Sequence, residues 1–344
     1  MKQNLPSADL NHILNHTRDL WEDLRGERIF ITGGTGFFGC WLLESFLFAN
    51  QQLDLRASAS VLTRRPDSVK QALPHLMLDP AITLIGGDMR NFEFPKGEYS
   101  HIIHAATETS PDLKPIDPLK KFTSNIEGTR RVLDFASQAG TCRLLFTSSG
   151  AVYGRQPSVI THIPESYPGA PETTNLNAAY DESKRAAEFL CAAYANQHGF
   201  QSLIARCFAF VGPRLPLDTN YAIGNFIRDA MNGTPIHITG DGTPYRSYLY
   251  AADLAIWLWT VLLRGQAWHP YNVGSENDLT IIQLAETVAR VVAPNLPIQI
   301  ATCPIPNNPV ERYVPLTQRA RDELGLREFI KLPDAIRRTA QWYT

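Results

Sequence analysis

Excess charge of one sign is what this sequence most clearly lacks: 32 basic residues face 34 acidic ones, the net charge is −2, and no basic stripe runs along any segment. A nucleic-acid partner needs such a stripe and is not expected. Cysteine is scarce too. The five present (Cys40, Cys142, Cys191, Cys207 and Cys303) are odd in number and show no metal-like pairing. No metal site is expected, and free thiols in a reducing compartment are. Long apolar runs are missing: the longest, 255–263, falls far short of the roughly 20 residues a bilayer needs. The opening segment, MKQNLPSADLNHILNHTRDLWEDL, has no apolar core of signal-peptide type. A soluble, cytoplasmic chain is the expectation. Internal repeats and low-complexity tracts are absent as well.

The remaining composition is ordinary for a globular protein, 44% hydrophobic and 19% charged, in a chain of 344 residues that exceeds one compact core. Leu10, Ile13, Leu14, Leu20, Trp21 and Leu24 recur at helical spacing, which predicts an amphipathic helix in 1–27 laid on the domain that follows. From Arg28 onward, short apolar runs alternate with helical patterns. RIFIT (28–32), ASVL (59–62), ITLI (82–85), HIIHA (101–105), RLLFT (143–147) and SLIAR (202–206) are nearly continuous, as strands buried on both faces must be. Helices are predicted over Phe38 to Asn50, after Asn125 through Gln138, and over Tyr180 to His198. The alternation predicts an α/β fold, a doubly wound parallel sheet in 28–207 to which 245–275, with its strand-like YNVGS (271–275), returns. After about Phe208 proline, glycine and tyrosine become frequent, and a smaller mixed α/β C-terminal lobe is expected from 208–244 and 276–344.

ITGGTGFFG sets Gly33, Gly36 and Gly39 three apart, directly after one predicted strand and before one predicted helix. Such a turn needs close backbone approaches that a Cβ blocks. The helix beyond it offers unpaired N–H groups and a partial positive charge to a pyrophosphate. This predicts a Rossmann-type domain whose turn, Gly33, Thr35, Gly36, Phe37, Phe38 and Gly39, holds a nicotinamide dinucleotide. An acid near the end of the second strand usually takes the ribose diol, yet SASVLTRR (58–65) has none. Arg64 and Arg65 suit the 2′-phosphate of NADP instead, unless they are only solvated loop charges; NADP is slightly favoured over NAD.

Tyr180 and Lys184, four apart on a predicted helix, share one face. A free tyrosine, with a pKa of about 10, is ionised to about one part in a thousand at pH 7. Lowering that pKa by three units takes about 4 kcal/mol, roughly what a cation at about 4 Å supplies at an effective dielectric of about 20. Lys184, together with a positive nicotinamide ring, therefore suits Tyr180 to acid/base work. The spacing alone is common on helix surfaces. It gains weight from FTSSGAVYG (146–154), which brings Ser149 to the C-terminal edge of the predicted sheet.

Taken together, the residues resemble the extended short-chain dehydrogenase/reductase superfamily, in particular its nucleotide-sugar epimerase/dehydratase group. The likeness runs from about Arg28 to about Gly325 through TGGTGFFG, Gly87–Asp88, HAA (104–106), N-x-x-G-T (125–129), TSSGAVYG, the Tyr180/Lys184 pair, GDGTPYRSYLYAADLA (240–255) and YNVGS. It implies a smaller lobe that closes over a sugar nucleotide, with Tyr180 as acid/base, Lys184 on the nicotinamide ribose and Ser149 on the reacting sugar oxygen. It further implies Asp88 and Met89 near the adenine, and Ala105, Ala106, Thr107, Asn125 and Thr147 along the cofactor. On the substrate side it implies Gly150 near the sugar and Arg246 and Arg312 near the diphosphate. A homodimer, formed through helices that include the one bearing Tyr180, is a further implication.

Departures from the group's pattern narrow the chemistry. The resemblance implies an acid pair just after the Ser/Thr in 4,6-dehydratases and a glutamate at the position of Ala151 in decarboxylases. Here Gly150 and Ala151 stand, and neither titrates. Reductases that first epimerise C5 through a cysteine at that place are disfavoured on the same ground. The resemblance also implies, in many members, an asparagine at the position of Ala209 that contacts the substrate phosphates; its replacement by alanine bears on substrate pose. Glu108 is a candidate extra acid or base near the nicotinamide, or a solvated loop acid. The expectation is an NAD(P)-dependent epimerase working by hydride transfer at C4 through a 4-keto intermediate. The alternatives are an NADPH-dependent reductase of a 4-keto-6-deoxy sugar nucleotide and, more remotely, a non-catalytic dinucleotide sensor.

Overall fold

Residues buried on both faces of a sheet must be apolar at consecutive positions, and the first predicted strand shows why. Ile29 and Ile31 pack into one core with Val61, Ile103 and Leu145, while Phe30 faces a second core with Leu62, Ile102, Leu144 and Phe146. This arrangement comes from a computed structural model describing residues 4–107, 117–219, 221–305 and 309–344.

The chain begins with α1 (Ser7–Thr17), which tightens into a 3₁₀ segment, Arg18–Leu24. The single helix expected there breaks at Thr17, whose hydroxyl donates to the Ile13 carbonyl (2.6 Å) and accepts from the Trp21 indole (2.9 Å). Then follow β1 (Arg28–Thr32), α2 (Phe37–Gln52), β2 (Ser58–Thr63), α3 (Pro66–Ala72), α4 (Pro74–Met77), β3 (Ile82–Gly86), β4 (His101–His104), α5 (Pro118–Ala136), β5 (Arg143–Ser149), α6 (Ala179–His198) and β6 (Gln201–Cys207). α5 starts at Pro118 rather than near Asn125. Asp117 caps it by accepting from the N–H groups of Leu119 and Lys120, and Pro118 occupies the first helical turn.

The rest comprises β7 (Phe210–Val211), α7 (Ala222–Met231), β8 (Ile236–Ile238), β9 (Tyr245–Arg246), β10 (Leu249–Tyr250), α8 (Ala251–Arg264), β11 (Tyr271–Val273), β12 (Leu279–Thr280), α9 (Ile281–Val292), β13 (Ile298–Ile300), β14 (Arg312–Tyr313), α10 (Gln318–Leu324) and α11 (Leu332–Tyr343). The main sheet has seven parallel strands in the order β3-β2-β1-β4-β5-β6-β11. Its order reverses between β1 and β4, and at such a switch point the strand ends open the crevice that binds ligands.

Within 245–275, β9 pairs with β12 and β14 in a separate three-stranded sheet, while β11 joins the main sheet beside β6 and α8 packs against it. The longest apolar run of the sequence lies in α8, which is buried from Ala251 to Leu263 between the sheet and α1 and α2. No described helix is long and apolar enough to cross a membrane. The N-terminal strap is anchored by buried carboxylates. Asp9 accepts from the Tyr250 hydroxyl (2.6 Å), and Glu44 accepts from the Leu5 N–H (2.6 Å) and Arg214 (2.9 Å).

Candidate active site

Two of the three glycines in the first turn are required by the chain itself. Gly33 has φ +72°, and a Cβ there would lie 2.6 Å from the backbone of Ala105 and Ala106. A Cβ on Gly39 would lie 2.3 Å from the Gly33 carbonyl oxygen. Gly36 is different: its φ is an ordinary −81° and nothing but the Gly33 carbonyl, at 3.5 Å, comes near. Its missing side chain leaves open the crevice above the N-terminus of α2, which no side chain caps. Thr35 and Gly36 face solvent there, with Phe37 and Phe38 half-buried behind them. The first-turn N–H groups of this helix have no intrahelical partners, so the cradle fits a pyrophosphate.

Arg64 and Arg65 stand exposed just past β2. Asp88, on the loop after β3, takes Arg90 on both carboxylate oxygens (2.7 and 3.1 Å). That pairing, with help from Arg64, holds its carboxyl below the usual range. Met89 lies over Gly128 of α5, where a Cβ would come within 2.6 Å of its side chain, so this glycine serves the methionine. The Ala105 and Ala106 N–H groups both donate to Thr32, one to its carbonyl and one to its hydroxyl (3.1 Å each). Thr107 donates to Asn125 (3.1 Å), which donates to Ser183 (2.9 Å), which donates to the Tyr180 carbonyl (2.7 Å). Asn125 thus ties the loop after β4 to α6. Glu108 lies outside the described residues.

Ser149 ends β5, and Tyr180 and Lys184 lie on one face of α6, as their spacing predicts. Lys184 is buried and donates to the Thr147 carbonyl (2.8 Å) with its ammonium over the Phe146 ring (4.7 Å). Burial lowers its pKa to about 8. Two of its protons remain for a ligand. Ser149 favours the Tyr180 phenolate, but burial outweighs it. Burial pushes the phenol well above its usual value, and Tyr313 would add to this only as an anion, a form its own burial disfavours. Lys184, its ammonium 5.9 Å from the Tyr180 ring centroid, does not offset that burial.

On the substrate side, Gly150 lies under the Phe208 ring, and a Cβ there would come within 2.6 Å of it. Arg246 and Arg312 do not share a face. β14 pairs parallel to β9 with Tyr313 opposite Arg246 and Arg312 opposite Tyr245, and successive side chains on a strand point opposite ways. Arg246 accordingly lies 6.0 Å from the Tyr313 ring centroid and pairs with Glu311. Arg312 stacks on Tyr245 (4.0 Å) and pairs with Asp278 (2.8 Å). Neither guanidinium is without a carboxylate partner.

Sequence reasoning missed Tyr313, Phe208 and the pair Glu188–Arg206. Tyr313 places its hydroxyl 3.4 Å from Ser149 Oγ, and its ring lies tilted against Phe208 (4.7 Å between centroids). Glu188 on α6 holds Arg206 of β6 through both oxygens and accepts from the Ser148 hydroxyl (2.5 Å). Arg206 donates to Tyr153 (2.9 Å), which donates to Asn272 (2.8 Å). No group of three or more His, Cys, Asp or Glu suited to a metal occurs among the described residues.

The sequence model of the NAD dependent epimerase/dehydratase family matches residues 29–274. UDP-glucuronic acid decarboxylase 5 of Arabidopsis thaliana is 33% identical over 309 residues, covering 90% of this chain and 87% of the relative. Among solved structures, a UDP-N-acetylglucosamine 4-epimerase from Methanobrevibacter ruminantium superimposes with a TM-score of 0.78 at 20% identity, over 92% of this chain and 98% of that one. A dTDP-glucose 4,6-dehydratase from Streptomyces venezuelae, solved with NAD bound, gives a TM-score of 0.76 at 25% identity, over 92% and 96%.

Proposed function

The chain belongs to the NAD-dependent epimerase/dehydratase family, and on that premise we propose that it is a nucleotide-sugar 4-epimerase. The nicotinamide, when bound, supplies an acceptor for hydride from sugar C4 and the donor that returns it. Tyr180 takes the C4 hydroxyl proton as base and returns it as acid. Ser149 hydrogen-bonds the same oxygen, and Lys184, anchored on the Thr147 carbonyl, grips the nicotinamide ribose with its remaining protons. Arg246 meets the substrate diphosphate from the face it shares with Tyr313, while Arg312 braces β9 and β14 from behind.

One observation carries the choice of reaction. The two positions after Ser149 are Gly150, covered by the Phe208 ring, and Ala151. A C5 proton transfer needs a titratable group beside the sugar, and those two positions have none. C4 hydride chemistry needs only Tyr180, Lys184 and Ser149. The identity to UDP-glucuronic acid decarboxylases favours a second reading, loss of CO₂ from a 4-keto uronic acid. Arg64 and Arg65 favour a third, an NADPH-consuming 4-ketoreductase, and they incline our cofactor assignment to NADP. We place a second copy of the chain on the outer faces of α5 and α6, where Leu119 and Phe189 are 70% and 72% exposed.

Incubation with UDP-glucose, UDP-N-acetylglucosamine, UDP-glucuronic acid and a 4-keto-6-deoxy sugar nucleotide, with and without NADPH, separates the three. A product of unchanged mass and inverted C4, formed without net cofactor use, supports the epimerase. A product lighter by CO₂ overturns it for the decarboxylase, and stoichiometric NADPH oxidation overturns it for the reductase.

A further inference from the structure

Ser149 has one proton to give and two lone pairs to fill. The Ala151 N–H donates to its Oγ (3.1 Å), and the Tyr313 hydroxyl lies within hydrogen-bond distance of the same atom (3.4 Å). Donation from both saturates the oxygen, and the Ser149 proton then has one direction left, toward Tyr180 or the sugar oxygen beside it. We propose that Tyr313 is a positioning residue that orients the Ser149 hydroxyl as a donor to Tyr180 and thereby favours the Tyr180 phenolate.

The segment bearing Tyr313 belongs to the small lobe but is fastened to the main one. The Val314 N–H donates to Gln156 (3.0 Å), and the Ile163 N–H donates to the Val314 carbonyl (2.9 Å). Asn272 at the edge of the main sheet donates to the Leu316 and Ile163 carbonyls (3.0 and 2.9 Å). The Phe208 ring holds Tyr313 from the side. Burial keeps Tyr313 protonated, hence a donor and not a competing anion. Tyr180 also faces Cys207 at the end of β6, Tyr221 ahead of α7 and, one turn along its own helix, Lys184. Tyr313 also faces Cys207, Asp181 on α6 and Arg246 on β9. Burial keeps the Cys207 thiol neutral, with its pKa pushed up to about 12. Asp181, raised to about 6, is charged at neutral pH and opposes a phenolate.

The inference rests on Tyr180 being the acid/base, so its test avoids turnover. Tyrosinate absorbance is titrated in the NAD-bound protein, and the Tyr180 component is the part lost in Tyr180→Phe. Tyr313→Phe keeps the ring against Phe208 and removes only the hydroxyl. It is expected to raise the Tyr180 midpoint by about one pH unit, a tenfold drop in phenolate at neutral pH, as loss of one hydrogen bond in a chain to a charged acceptor implies. In a Ser149→Ala background the same change is expected to shift nothing, since the relay is already cut. An unchanged midpoint in Tyr313→Phe, or an equal shift without Ser149, overturns the proposal. Failure of every sugar nucleotide to react would count against the epimerase and leave this titration readable.

Discussion

Replacing Gly36 by alanine is expected to abolish dinucleotide binding and leave the fold standing, whereas the same change at Gly33 or Gly39 damages the fold itself. At Gly33 the φ of +72° alone costs a residue with a Cβ about 1–3 kcal/mol. The overlap with Ala105 and Ala106 at 2.6 Å adds to that. At Gly39 the 2.3 Å approach to the Gly33 carbonyl leaves no room at all. At Gly36 an alanine Cβ meets nothing closer than 3.5 Å and the backbone is ordinary. Alanine is a poorer helix cap than glycine, but it stiffens the unfolded chain by about 0.4–1 kcal/mol, so unfolding free energy should stay within about 1 kcal/mol of wild type. The new methyl projects over the α2 N-terminus and holds a pyrophosphate off the free N–H groups. Each such charge-assisted bond is worth about 1.5–3 kcal/mol, so losing two weakens NAD at least about 100-fold. Urea unfolding and calorimetric titration with NAD and NADP measure both quantities on the same samples. Wild-type cofactor affinity in Gly36→Ala would refute the placement of the pyrophosphate.

Three other outcomes are expected. His104, fully buried between the Thr32 and Thr129 hydroxyls (2.7 and 3.1 Å), has its pKa lowered from 6.5 to about 3, mainly by burial. The unfolded chain therefore binds the extra proton first, and stability is lost as pH falls below about 6.5, by about 2 kcal/mol at pH 5. His104→Gln should flatten the pH dependence of urea unfolding by that amount, and an unchanged slope would contradict the burial argument. Glu188→Ala, which strands Arg206 with a side chain only 14% exposed, should cost about 3–5 kcal/mol in the same assay, and a cost under about 1 kcal/mol would show the pair to be dispensable. Replacing Arg64 and Arg65 together by alanine should weaken NADPH about tenfold or more and leave NADH unaltered; equal effects on both would remove the 2′-phosphate assignment.

The parts of the fold legible in the sequence are those where burial imposes a pattern. The parallel strands are covered on both faces and read as unbroken apolar runs, and Tyr180 and Lys184 are spaced by a helical turn. β9 and β14 hold two residues each, too few for a period to emerge. The opposite facing of Arg246 and Arg312 was consequently invisible, as was the arrival of Tyr313 beside Ser149, 164 residues away in sequence. Two local signals were present and overlooked. Asp117–Pro118 is a helix start by capping chemistry, and Pro66 and Pro74 each open a short helix between β2 and β3. The glycine turn was legible as a motif. That its three glycines divide into two required by packing and one left open required coordinates.

The central claim is that chemistry is confined to C4 because nothing at Gly150 and Ala151 titrates beside C5. Running the reaction to equilibrium in D₂O with UDP-glucose and with UDP-glucuronic acid, and locating deuterium on the sugar by NMR, tests it most directly. The account predicts a C4 epimer with protium at both C4 and C5. Deuterium at C5, in an epimer or in a decarboxylated pentose, would contradict it.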